Sequence, residues 1–211
     1  MIDYNKFYYI FPPRPKNAIP PSELNEWDDN SMIGQLKFNG SNAVIFMNGK
    51  DVFVFNRHGD RLTNIDLDKD EISKLYSGSG WMVINGEYLN KSKKDENSLT
   101  FNHKLIIFDI LVYNSEYLLG NTFIQRIELL DNLFNKKESE KEYLFKVSEN
   151  IYRVKSFLNG FKDMFDGYTK IDMIEGIVLK RKNSKLELGN TTDNNFKGQI
   201  KSRKATKNYK F

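Results

Sequence analysis

The stretch Met32-Ile33-Gly34-Gln35-Leu36-Lys37-Phe38-Asn39-Gly40, running on through Ala43-Val44-Ile45-Phe46-Met47-Asn48-Gly49 to Val52-Phe53-Val54-Phe55, decides the fold. Residues 32–38 read as a strand ending at Asn39-Gly40. Residues 43–47 and 52–55 read as two more strands joined around Asn48-Gly49, because both turn residues tolerate the positive φ of a tight hairpin. A chain that opens this way builds antiparallel sheet first and adds helices later.

Working outward, residues 7–11 are aromatic and aliphatic and read as a short strand. Pro12-Pro13 and Pro20-Pro21 then bracket an irregular loop. On the other side, Asp68 caps a short helix over residues 69–76, stopped by Gly78. Residues 81–84 and 105–113 read as strands, the second nearly all apolar and therefore central. Thr122 opens a helix with Phe123, Ile127, Leu130 and Phe134 on one face. Residues 136–142 are a mixed-charge run, an exposed helix end or loop. A second helix is expected over residues 151–165, with Val154, Phe157, Leu158, Phe161 and Phe165 turned inward. Strands follow at residues 176–181, 185–188 and 198–202. There is no internal repeat and no long linker. Strands outnumber helices and hairpins dominate, so the expected class is α+β, largely antiparallel sheets flanked by helices, in a single domain over residues 1–211.

Composition narrows the function. The 211 residues include 16 Phe and 11 Tyr, and 39% are hydrophobic, enough for a substantial core. The net charge of +4 is unevenly spread. From position 180 onward stand ten basic residues (Lys180, Arg181, Lys182, Lys185, Lys197, Lys201, Arg203, Lys204, Lys207, Lys210) against Glu187 and Asp193. That asymmetry suits a polyphosphate or nucleic-acid partner, or else a solvated surface. With no cysteine, disulfides, thiolate catalysis and cysteine-based zinc sites are excluded, and His58 and His103 stand far apart. The N-terminus carries no signal segment and no apolar run approaches about 18 residues, so a soluble, intracellular protein with no membrane partner is expected. The absence of a G-x-x-x-x-G-K-S/T loop disfavours a Walker-type ATPase.

Six short motifs recur in order. They are Lys37-Phe38-Asn39-Gly40; Asn56-Arg57-His58-Gly59 with Thr63; Asn85-Gly86-Glu87, an acid after a small turn; Phe108-Asp109 in an apolar strand; Glu175-Gly176-Ile177-Val178-Leu179-Lys180; and Lys201-Ser202-Arg203. Each has an ordinary structural reading alone: a solvent-reaching lysine, a core aromatic, a strand-edge carboxylate. Together they resemble the covalent nucleotidyltransferase superfamily of ATP-dependent DNA ligases, RNA ligases and mRNA capping enzymes. They match its K-x-D-G, R-x-G…T, acidic, aromatic-Asp, E-G-x-V-x-K and K-x-K motifs in turn.

The resemblance implies a nucleotidyltransferase (ATP-grasp-like ligase adenylation) fold and an ATP-dependent polynucleotide ligase. ATP and Mg²⁺ or Mn²⁺ are the implied cofactors, and nicked or single-stranded RNA or DNA the implied partner. Lys37 is the implied nucleophile. An amine must be neutral to attack, and by resemblance Lys201 and Arg203 lie near it and the phosphates, repelling its ammonium form and stabilising the α-phosphate. Glu175 is implied as the Mg²⁺ ligand, a hard cation preferring oxygen. Glu87 would contact the ribose or a second metal, Phe108 would stack on adenine, Lys180 would meet the α-phosphate, and Arg57 would hold the 5′-phosphate end or the triphosphate. His58 falls at a variable position of the pattern and has no role.

Two departures matter. Asn39 replaces the motif's Asp and, as an amide, can only hydrogen-bond. Only residues 204–211 follow the last motif, too few for the OB domain that DNA ligases and capping enzymes carry. Both lean toward an RNA-ligase-like or minimal nick-sealing enzyme. The Arg57-x-Gly59…Thr63 pattern and Phe123…Arg126…Leu129-Leu130 resemble DNA ligases instead. A monomer in the cytoplasm, the host's if the chain is viral, is expected. A GTP-using capping guanylyltransferase and a non-catalytic nucleic-acid-binding module stay open as alternatives.

Overall fold

The computed structural model describes residues 9–63, 65–90, 93–134, 137–138 (backbone), 141–189 and 198–205. Two sheets face each other. The smaller has the order β1 (Asn17–Ala18), β12 (Gln199–Arg203), β11 (Ile174–Arg181), β2 (Met32–Phe38). The larger runs β4 (Val52–Phe55), β3 (Ser41–Met47), β5 (Met82–Leu89), β6 (Lys104–Tyr113), β10 (Ile151–Val154), β9 (Leu144–Lys146), β8 (Lys137–Glu138), with β7 (Glu116–Tyr117) pairing on β6. Pairing is antiparallel except for β1 with β12 and β10 with β6. The α+β class with largely antiparallel sheets and flanking helices is thus what the chain adopts.

Alternation along β2 explains why the sheets part. Met32, Leu36 and Phe38 enter an apolar cluster with Phe161, Met164 and Phe165 of α3 (Phe161–Tyr168) and with Ile174, Ile177 and Leu179 of β11. Gln35 and Lys37 point the other way, toward the larger sheet. Behind the larger sheet, α1 (Lys69–Ser73) and α2 (Phe123–Leu133) cover Ile45, Met47, Ile84, Ile107 and Ile110. Thr122 and Gln125 form a reciprocal capping box that starts α2. Its buried face is Phe123, Arg126, Ile127 and Leu130, so a guanidinium sits in an apolar stripe.

Several expectations are corrected. Residues 151–154 form a strand, fully buried, parallel to β6, and the helix begins only at Phe161 after Gly160 at φ 70°. The left-handed glycine interrupts any continuous helix there, and Leu158, expected inside, is 52% exposed. Asn85-Gly86-Glu87 is no turn but the middle of β5. Residues 185–188 contribute one isolated bridge, Thr122 to Lys185, rather than a strand. The loop after Pro13 contains β1 and a 3₁₀ turn at Pro21–Trp27. The early strand falls partly outside the described residues, and Tyr9 to Phe11 is not strand. Lys197, Lys207 and Lys210 of the basic tail also lie outside them, as do residues 136, 139 and 140 of the mixed-charge run. Where that run is described, Lys137–Glu138 is a strand and Lys141 is buried against Asp95, which corrects the expected exposed helix end or loop. No helix among the described residues is long and apolar enough to cross a membrane.

Two irregularities in the ladders aim side chains. Between β11 and β2 the register steps from Ile174↔Phe38 to Gly176↔Lys37, leaving Glu175 as the extra residue. Between β5 and β6 it steps from Asn85↔Asp109 to Gly86↔Ile107, leaving Phe108 as the extra one. A bulge of this kind re-aims the unpaired residue out of the regular alternation. Gly176 beside the first bulge has no room for a side chain, since an added Cβ would lie 2.0 Å from the Ser202 carbonyl and 2.9 Å from Arg203 Cα. Gly176→Ala is therefore expected to destabilise the fold by about 3 kcal/mol, read as a lower urea midpoint. An unchanged midpoint would mean that β11 and β12 can separate freely.

Candidate active site

A cleft of about 610 Å³ opens between the two sheets. The smaller sheet supplies Gln35 and Lys37 from β2, Glu175, Val178 and Lys180 from β11, and Gln199, Lys201 and Arg203 from β12. The larger sheet supplies Asn42, Glu87 and Phe108, and the loops add Pro12 to Pro15 and Asn56 to His58. The structure thus brings together all eight residues singled out in the sequence: Lys37, Arg57, Glu87, Phe108, Glu175, Lys180, Lys201 and Arg203. Thr63 is not among its lining residues.

Glu175 is the hub. Its Oε1 is ion-paired with Lys37 Nζ, and its Oε2 accepts from Arg203 Nη2 at 2.8 Å. Lys201, two residues from Arg203 on the same strand face, has its ammonium pushed below the usual lysine range by burial, and further by the charges of Lys37 and Arg203. Three cations therefore crowd one carboxylate. Arg57 stands on the opposite lip, in a turn held by Asn56 N–H donating to the Asp60 carbonyl at 2.8 Å, with Gly59 at φ 89°.

The second acid differs. Burial pushes Glu87 up to about 7 against the opposing pull of Lys37 and the Gly40 amide. Gly40 N–H donates to its Oε1 at 3.0 Å. Gly40 must be glycine for this approach, because a Cβ would meet the Tyr88 carbonyl at 2.4 Å. Asn39 donates its backbone N–H to the Met173 carbonyl at 2.9 Å, and its exposed side chain is part of the cleft lining.

Lys180 is 4% exposed and held by ring faces, its Nζ 4.8 Å from the centroid of Phe108 and 4.5 Å from that of Phe123. Desolvation lowers it to about 8. Of the lining residues not singled out in the sequence, two carry an unmatched oxygen among the described residues. Gln35 is 2% exposed and its Oε1 has no hydrogen-bond partner among the described residues, while its Nε2 donates to Ser156 Oγ at 3.3 Å. Asn42 donates to Asn85 Oδ1 at 2.9 Å and leaves its own Oδ1 unmatched. Gln35 stands two residues before Lys37 on one strand, so the two-residue period alone would have placed both on one face.

The arrangement offers an amine, a bridging carboxylate, several cations and an aromatic face: equipment for a nucleoside polyphosphate. The model of the ATP-dependent DNA ligase domain matches residues 84–198, more than half of the chain. The chain belongs to this family. No curated protein matches it in sequence. Among solved structures, the ligase domain of M. tuberculosis LigD superposes with a TM-score of 0.63 at 15% identity, covering 92% of this chain and 59% of that one. A mycobacterial DNA ligase D complexed with ATP and MES gives 0.61 at 16% identity, covering 92% and 60%. A structure of Lig E DNA ligases, described as binding DNA with a minimal scaffold, gives 0.54 at 15% identity, covering 93% and 70%. At these identities the likeness is one of fold. The chain spans about three fifths of the length of the LigD-type structures.

Proposed function

We propose that the chain is the nucleotidyltransferase core of an ATP-dependent polynucleotide ligase and that Lys37 is its nucleophile. What supports this most is the convergence on one cleft floor of the Lys37 amine, the Glu175 carboxylate and the cations Lys201 and Arg203. A structural lysine needs no such company.

In the first step the Lys37 amine, having lost a proton, attacks the α-phosphorus of ATP. A phosphorus–nitrogen bond forms, the bond to the β-phosphate oxygen breaks, and pyrophosphate leaves. Lys180, Lys201 and Arg203 offset the charge that builds on the phosphate oxygens. Phe108 gives a face for adenine. The orphaned Gln35 Oε1 accepts from the exocyclic amine of adenine, a donor that guanine lacks at that position, so ATP is favoured over GTP. In the second step a 5′-phosphate of a nicked strand attacks the lysyl-AMP and takes the AMP, with Arg57 holding that phosphate. In the third a 3′-hydroxyl displaces AMP and the strands join. Positioning accounts for most of the remaining acceleration.

The residues fit a divalent cation that arrives with the triphosphate. Among the described residues no three Asp, Glu, His or Cys groups converge as a cage, whereas Mg²⁺ commonly uses one or two carboxylates with phosphates and water. Glu175 would hold it and Glu87 is the second available carboxylate. When bound, Mg²⁺ or Mn²⁺ supplies neutralisation of phosphate charge.

The family favours a DNA nick as the substrate. The test is incubation with ATP or GTP and Mg²⁺, followed by intact mass and then by sealing of nicks built from each backbone combination. A gain of one AMP, none of GMP, and joining of nicked DNA are expected. A GMP adduct would instead mean a capping-type guanylyltransferase. Salt-sensitive binding with no adduct would mean a binding module, and joining confined to RNA would overturn the backbone assignment.

A further inference from the structure

Behind Lys180 lies a buried ion pair that the proposed chemistry does not use. Asp109, 1% exposed, takes Arg126 Nε at 2.8 Å on Oδ1 and Arg126 Nη2 at 3.0 Å on Oδ2. Oδ1 also accepts the Ile110 amide at 2.9 Å, and Arg126 Nη1 donates to the Asn121 carbonyl at 2.9 Å. The guanidinium lies over one ring, Phe123, with its Cζ 5.5 Å from the centroid, and the Lys180 ammonium lies 4.5 Å from the same centroid. Asp109 and Arg126 are the charged groups that act on Lys180, one raising and the other lowering its affinity for a proton. Among the described residues Lys180 has ring contacts but no bonded carboxylate or carbonyl.

A buried ammonium beside a buried carboxylate would ordinarily pair with it. It does not here because a bidentate guanidinium already holds both oxygens, a geometry that lysine cannot match. We infer that Arg126 is a positioning residue: by bridging both Asp109 oxygens it denies Lys180 an internal counter-ion and keeps that ammonium turned into the cleft for an anionic phosphate. The inference rests on the proposed role of Lys180. Phe123 is the spacer that keeps the two cations apart.

The experiment measures the apparent KM for ATP in the adenylation half-reaction. Lys180→Met should raise it by tenfold or more. If it does not, the phosphate role of Lys180 fails, and this inference with it. Arg126→Lys keeps the charge but not the fork, freeing one Asp109 oxygen for Lys180. It should also raise KM several-fold, with kcat changing less. Asp109→Asn combined with Arg126→Met removes the lure and its guard together, and should bring KM back to within about threefold of wild type. A double variant no better than Arg126→Lys, with Lys180→Met impaired as expected, would overturn the inference and leave the ligase reading standing.

The pH profile separates positioning from loosened packing. In the native protein ATP affinity should fall as pH rises through about 8, where Lys180 loses its charge. Pairing with Asp109 favours the charged lysine, so in Arg126→Lys that alkaline fall should move to higher pH. A fall left at the native pH would count against the inference. Thermal melts of each variant confirm that a folded protein is being compared.

Discussion

Lys37→Ala is expected to yield no AMP adduct at any ATP concentration, while sealing of a nick that already carries AMP on its 5′-phosphate survives. The asymmetry follows from where the side chain acts. In the proposed reaction Lys37 is consumed as a nucleophile in the first step and freed in the second, but strand joining breaks a bond that no longer involves it. The other cleft lysines are placed differently: Lys180 lies between two rings, and Lys201 stands on the same sheet with β11 between it and the strand of Lys37. Lys37→Arg should fail equally, since a guanidinium keeps its proton at any accessible pH and cannot become a nucleophile. Intact mass with ATP and Mg²⁺ reads the first outcome and a gel assay on pre-adenylated nicked duplex the second. A persistent adduct in Lys37→Ala would place the nucleophile elsewhere.

Glu175→Gln is expected to slow adenylation by about 10²- to 10³-fold, roughly 3–4 kcal/mol of transition-state stabilisation. It should also raise the Mg²⁺ concentration needed for half-maximal rate. Two effects compete in this variant. The carboxylate joins Lys37 and Arg203, so its loss costs some stability. Both cations are about a quarter exposed, at 26% and 27%, and solvent screening limits such pairs to about 1 kcal/mol or less each. The catalytic loss therefore outweighs the structural one, and the urea midpoint should scarcely move while the rate collapses. A variant that unfolds readily yet retains near-native adenylation per folded molecule would make Glu175 a strut rather than a ligand.

Much of this was legible in the chain before any coordinates. The Asn48-Gly49 hairpin, the apolar run of β6 and the capped helix after Thr122 are local signals, and local signals survive folding. The eight residues that line the cleft could be named because their motifs, in order from Lys37 to Arg203, resemble those of the nucleotidyltransferase superfamily. What failed did so for nameable reasons. Val154, Phe157, Phe161 and Phe165 happen to fall at helical spacing, yet Gly160 in the left-handed region divides that stretch into strand, turn and helix. Asn85-Gly86 looks like a turn because both residues favour one. Gly86 is instead mid-strand, where a Cβ would press on the Ile106 carbonyl at 2.8 Å. Gln35 carried no motif; the strand period puts it on the face of Lys37, and its burial with an unmatched oxygen marks it as more than a lining residue. The Asp109–Arg126 pair was invisible for a similar reason: charge in an apolar helix stripe is a tertiary fact.

The extra residues at Phe108 and Glu175 make strand length, as well as residue identity, a quantity this site depends on. Exchanging one side chain for another along β6 or β11 leaves the phase of the ladder untouched. Removing a single amino acid near either slip closes that slip and turns the aromatic face or the acid away from the cleft. The spacing along these two strands, counted in whole residues, is therefore a constraint on the site separate from the side chains they carry.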